Sequence, residues 1–107
     1  MQKKLPEKYQ FTNHAEYKMR YYRLSESLIK RVIRYPKRTE ESIVPNTIAC
    51  MRPAQTKKYT EVWAMYALTK KGQVRIITAW RYPGKSPKRN PIPQEILEEA
   101  KKVIQNY

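Results

Sequence analysis

The stretch Tyr59-Thr60-Glu61-Val62-Trp63-Ala64-Met65-Tyr66-Ala67-Leu68, the bridge Thr69-Lys70-Lys71-Gly72-Gln73 and the stretch Val74-Arg75-Ile76-Ile77-Thr78-Ala79-Trp80-Arg81-Tyr82 decide the fold. Both flanking runs are rich in valine, isoleucine, threonine and aromatic residues, which suit a pleated and half-buried surface. The polar bridge with its glycine joins them, so they read as an antiparallel hairpin at the centre of a sheet. Alternation along the second run sets Val74, Ile76, Thr78, Trp80 and Tyr82 on one face and Arg75, Ile77, Ala79 and Arg81 on the other. Both faces are partly apolar, and the pattern leaves open which one meets the helices.

Before this hairpin, Ser42 to Val44, a Pro45-Asn46 turn and Thr47 to Arg52 add shorter strands, for about four in all. Upstream the period changes. Asn13 can cap a first helix with Glu16 closing a capping box, and Ala15, Met19 and Tyr22 recur at helical spacing as its inward stripe. His14, Lys18 and Tyr21 form a neighbouring stripe at the edge of the core. Ser25 can cap a second helix that turns Leu28, Ile29, Val32 and Ile33 inward and ends at Tyr35-Pro36. Downstream, residues 83–93 hold four prolines with Lys85, Lys88 and Arg89, a stiff basic loop leading away from the strand end. A last helix follows over about 93–105, with Ile96, Leu97, Ala100, Val103 and Ile104 as its stripe. The expectation is a single α+β domain over residues 1–107: two N-terminal helices packed on a small antiparallel sheet, then a C-terminal helix.

Lysine and arginine number 23 against nine acids, a formal charge of +14 spread over every segment. Such a field concentrates polyanions, and neutralised phosphates release condensed counterions, so a nucleic acid is the expected partner. No segment pairs a basic face with a large apolar one, so no membrane partner is expected. The single cysteine, Cys50, cannot close an internal disulfide and reads as a small buried hydrophobe. With no apolar leader core near the start, a reducing cytoplasmic setting is the expectation.

One histidine and one cysteine far apart supply no zinc ligand set, the acids are not clustered for two-metal chemistry, and Gly72 and Gly84 stand alone. Neither a metal nor a cofactor is expected. Metal-free RNA cleavage needs a proton acceptor for the 2′-OH, cations around the phosphorane and an acid for the leaving oxygen. His14 and Lys18 lie one turn apart on the first helix, and Arg81 and Tyr82 end the last long strand, so these four form the candidate catalytic set. Arg75, Lys85, Lys88, Arg89, Lys30 and Arg34 are the candidate nucleic-acid contacts. Trp63 and Trp80 read as core rather than as base-stacking platforms.

The run His14-Ala15-x-x-Lys18-Met19, then Leu24-Ser25 and Tyr35-Pro36, resembles the opening of a family of small prokaryotic domains related to RelE- and ParE-like toxins. Members typically read His-Ala, Arg-Met, Arg-Gly and Ile-Ser before a second helix and a proline; here Lys18 stands for the usual arginine, and Tyr22-Arg23 for Arg-Gly. Arg75-Ile76-Ile77-Thr78-Ala79-Trp80-Arg81 is similar to the last strand of BrnT-type toxins, with Trp80 as the difference. The resemblance covers about residues 11–82. It implies two helices against a small antiparallel sheet, metal-independent cleavage of RNA, free or ribosome-bound, and inhibition by an acidic antitoxin. It carries over His14, Lys18 and Arg81, whereas Tyr82 comes from the chemistry alone. Three functions are weighed: a prokaryotic or phage ribonuclease acting by 2′-OH attack, a non-catalytic basic nucleic-acid-binding module on the same scaffold, and, more weakly, a phage or mobile-element accessory protein whose charge serves packing against a nucleic-acid assembly.

Overall fold

The computed structural model describes residues 8–54 and 56–106. The elements are β1 (Tyr9–Phe11), α1 (Asn13–Tyr22), α2 (Glu26–Arg34), β2 (Arg38–Glu41), β3 (Thr47–Ala54), β4 (Thr60–Leu68), β5 (Val74–Pro83) and α3 (Gln94–Gln105). The chain is α+β, with two N-terminal helices, a sheet and a C-terminal helix, and the sheet has five strands in the order β1-β5-β4-β3-β2. The strand beyond the expected four is β1. It pairs in parallel with β5, Tyr9 opposite Val74 and Phe11 opposite Ile76, while every other pairing is antiparallel.

β2 lies at Arg38–Glu41, earlier than the expected Ser42 to Val44. Side-chain bonds divert that later backbone from the ladder. The Val44 amide donates to Ser42 Oγ at 3.0 Å, and Thr47 Oγ1 donates to the Val44 carbonyl at 2.7 Å. Asn46 closes the turn at φ 64°, a left-handed conformation that asparagine tolerates.

The cap of α1 is Thr12 rather than Asn13, which is the first helical residue. Thr12 Oγ1 accepts the Ala15 amide at 3.0 Å and donates to the Ile77 carbonyl at 3.1 Å. That second bond matters because Ile77 is the extra residue of a β-bulge: Met65 faces Thr78, but Tyr66 faces Ile76. One hydroxyl thus ties the start of the helix to the irregularity in β5. Ser25 caps α2 as its sequence predicts, accepting the Leu28 amide at 3.1 Å.

The bulge corrects the simple alternation along β5. Val74 and Ile76 share their face with Ala79, whereas Ile77 and Trp80 lie on the other. Both faces are covered. Val74, Ile76 and Ala79 pack with Val62, Ala64 and Cys50 beneath Ala15, Met19, Ile29 and Val32 of α1 and α2. Ile77 and Trp80 pack with Trp63, Met65 and Met51 against Ile96, Leu97 and Ala100 of α3. Trp63 and Trp80 stack at the centre of this second layer, ring centroids 5.6 Å apart and 6° from parallel. They belong to the core, as their sequence reading predicts.

The proline-rich loop does not lead away from β5 but returns over the α3 side of the sheet. Ile92 enters the core there, and Ser86 is buried against Glu61 of β4. No helix among the described residues is long and apolar enough to cross a membrane. The N-terminal residues read for a leader segment lie outside the described residues.

Candidate functional site

α1 runs beside β5 beyond the short reach of β1. Thr12 bonds the carbonyls of Ile76 and Ile77 at one end, and Arg81 of β5 bonds the Tyr22 carbonyl at the other. The 3.6-residue repeat then turns His14 and Lys18 toward α3. There they share one carboxylate. His14 Nε2 donates to Glu99 Oε1 at 2.8 Å, and Lys18 Nζ lies 3.1 Å from the same oxygen. An ionised carboxylate only accepts, so the hydrogen belongs on Nε2 and the lone pair of a neutral imidazole on Nδ1. His14 keeps 27 % of its side chain exposed, whereas Lys18 keeps 10 %. The histidine lines an open depression of about 540 Å³ with Asn13, Glu99, Lys102 and Asn106.

Lys18 is therefore a paired, buried cation rather than a free one. Its ammonium also sits 5.4 Å above the Tyr22 ring. Arg81 Nη2 donates to the Tyr22 carbonyl at 3.2 Å, placing a cation at the C-terminal end of α1, where the helix dipole favours it. Lys18 and Arg81 thus meet at Tyr22. Tyr82, the next residue, points to the opposite face, packs at the edge of the tryptophan layer and lies opposite Glu61 in register. It is five residues beyond Ile77, about 16 Å at the strand rise, whereas His14 sits beside the Thr12–Ile77 bond. The four candidate catalytic residues His14, Lys18, Arg81 and Tyr82 are therefore not brought to one place. His14 and Lys18 form a group with Glu99, Arg81 serves the end of α1, and Tyr82 belongs to the far side.

The candidate nucleic-acid contacts are spread over both faces. Lys30 and Arg34 of α2 flank the Tyr9 ring at 5.3 and 5.6 Å, and Arg34 Nε donates to the Tyr9 hydroxyl at 3.0 Å. Arg75 donates to Gln10 at 2.8 Å and lines an open groove of about 640 Å³ with Lys70, Lys71 and Gln73. Lys85, Lys88 and Arg89 are exposed on the returning loop. Because Arg81 faces α1 while this loop lies on the α3 side, its cations do not continue directly from Arg81.

The loop is held by an acid that sequence reasoning missed. Glu61, 2 % exposed, accepts bonds from the hydroxyl of Tyr59, the indole of Trp63, and both the amide and the hydroxyl of Ser86. Burial pushes its carboxyl up, but these four hydrogen bonds outweigh burial and hold it below the ordinary glutamate value. Arg38 completes the latch. Its guanidinium stacks over Trp63 at 5.7 Å and donates to Ser86 Oγ and to the carbonyls of Pro87 and Lys88. Glu99 was also missed, although its position three residues after Ile96 and four before Val103 puts a charge on the border of the apolar stripe. Glu61 carried a comparable signal as the only acid within the two long strands.

Among the described residues no group of three or more histidine, cysteine or acidic side chains is placed to hold a metal ion. Cys50 is buried, which raises its thiol pKa against the smaller effect of a bond with Thr39. Comparison with protein-family models, with curated proteins and with solved structures finds no match to this chain.

Proposed function

We propose that this protein is an RNA-binding domain. The observation that carries the reading is the charge balance: even if each of the nine acids neutralised one of the 23 lysines and arginines, fourteen cations would remain. A compact domain with that excess is driven toward a polyanion by counterion release. The exposed loop cations Lys85, Lys88 and Arg89 and the groove of Lys70, Lys71 and Arg75 offer phosphate contacts. Polarisation titrations with labelled RNA over a range of salt test the reading. Tight binding that weakens steeply with salt supports it, and weak binding with no salt dependence refutes it.

One observation favours a second reading, a metal-independent ribonuclease of RelE-like type checked by an acidic antitoxin. Glu99 orients the imidazole of His14 and leaves Nδ1 as the basic nitrogen, the arrangement a general base requires. Lys18 and Lys102 supply positive charge beside it. In this reading Nδ1 takes the 2′-OH proton as the 2′ oxygen attacks the adjacent phosphorus, and the 5′ oxygen leaves as a hydroxyl with a proton taken from solvent, giving a 2′,3′-cyclic phosphate. Incubation with free and ribosome-bound RNA in chelator separates the two readings. Cyclic-phosphate products that vanish in His14→Ala support the enzyme, and intact RNA with binding retained supports the binding module alone.

A further inference from the structure

The outer side of α1 carries two large aromatic side chains that serve no core. Tyr17 is 56 % exposed and Tyr21 69 % exposed, and at a spacing of four residues they occupy the same side of the helix. Neither stands alone. The Tyr17 ring is tilted against His14 with centroids 6.4 Å apart, and Tyr21 meets Tyr22 edge-on at 4.8 Å. Rings therefore run along α1 from its C-terminal end to the depression that His14 shares with Lys102. Arg20, exposed and three residues from Tyr17, adds a cation beside this band.

We propose that this face of α1 is a stacking platform for unpaired bases of a nucleic-acid strand, whose backbone then passes the His14–Lys102 depression. The occupant follows from charge and shape together. With fourteen surplus cations the favoured partner is polyanionic, and the ligand that joins negative charge to flat aromatic faces is a nucleic acid. In a duplex the base faces are covered by their neighbours. Protein rings can stack only on bases that are splayed out or single-stranded. The aromatic face thus selects single strands, loops and bulges, while the lysines and arginines elsewhere treat all nucleic acids alike. Tyr17 and Tyr21 supply stacking energy without a donor–acceptor code, so the preference is for unpaired structure rather than for a sequence.

This inference rests on the RNA-binding reading, and the test separates the two. Wild-type protein, Tyr17→Ala/Tyr21→Ala and Tyr17→Phe/Tyr21→Phe are titrated with a labelled single-stranded RNA carrying 2-aminopurine and with duplex RNA of equal length. Both sites are on an exposed helical face, where alanine is a good helix former, so thermal melting should be nearly unchanged. The alanine variant should lose on the order of 10- to 100-fold in affinity for the single strand and little for the duplex. It should also lose the 2-aminopurine quenching that reports stacking, and the phenylalanine variant should retain both. Unchanged single-strand affinity in the alanine variant, with salt-dependent binding intact, overturns the platform and leaves the RNA-binding reading standing. Absence of binding to either RNA overturns both. A change of oligomeric state in the alanine variant, with RNA affinity unchanged, would assign the tyrosines to a second copy of the chain instead.

Discussion

His14 Nε2 and Glu99 Oε1 meet at 2.8 Å although 85 positions separate them in the chain. The contact joins α1, which borders β5, to α3, which covers the opposite side of the sheet from α2. Glu99 also takes the ammonium of Lys18, so a single carboxylate balances two basic groups at the seam between the helices.

Removing that carboxylate leaves Lys18 nearly buried without its ion-pair partner. Glu99→Ala is expected to destabilise the domain by about 1–3 kcal/mol, the cost of an unsatisfied buried polar or charged group. Lys18→Met in the same background should recover part of the loss, because it removes the stranded charge and keeps the packing of the stem. Urea unfolding of the two single variants and the double variant measures this coupling, and strict additivity would refute it.

The Glu61 latch gives a stability that depends on pH. Its folded carboxyl lies below the ordinary value of 4.5, so the ionised form is the one that folding favours. The resulting stabilisation is complete above 4.5 and is lost as the pH falls toward the lower folded value. Glu61→Gln should therefore melt below the wild type at neutral pH, and the gap should narrow below that value. Thermal melts across an acid series check it; a gap that widens on acidification would contradict the assignment.

The loop cations are separable from the latch. Arg38 holds the loop through Ser86 Oγ and the Pro87 and Lys88 carbonyls, not through the side chains of Lys85, Lys88 or Arg89, and those three are all exposed. Replacing the three by alanine should leave the melting temperature nearly unchanged. The salt slope of RNA binding should fall, by close to one per lost phosphate contact on a duplex and somewhat less on a single strand. An unaltered slope would put the phosphate path elsewhere on the surface.

The packing of α2 on the sheet has its own test. Val32 is fully buried among Ile29, Val62 and Ala64. An unpaired carboxylate there costs several kcal/mol, comparable with the roughly 5–15 kcal/mol that holds a domain of this kind together. Val32→Asp should abolish cooperative melting, and retention of a sharp transition would refute the packing.

The parts governed by neighbours in the chain are legible from residue order alone. The inward stripes of α1, α2 and α3, the Ser25 cap and the β4–β5 hairpin all follow from periods of 3.6 and 2 and from local turn chemistry, whereas Tyr21, read at the core edge with His14 and Lys18, is exposed. The basic character of the surface is equally legible, since a count of charges needs no coordinates. The remaining features arise from contacts between residues far apart in the chain. β1 has three residues, too few for an alternation to show, and owes its existence to pairing with β5 more than sixty positions away. The Ile77 bulge reverses the side on which later β5 residues lie, because one unpaired residue shifts a two-residue period by half. The return of the proline loop depends on Glu61 meeting Ser86, and the separation of Tyr82 from His14 depends on where α1 runs along β5. Such contacts join residues distant in sequence, and their stabilisation arises only after the chain has closed around them.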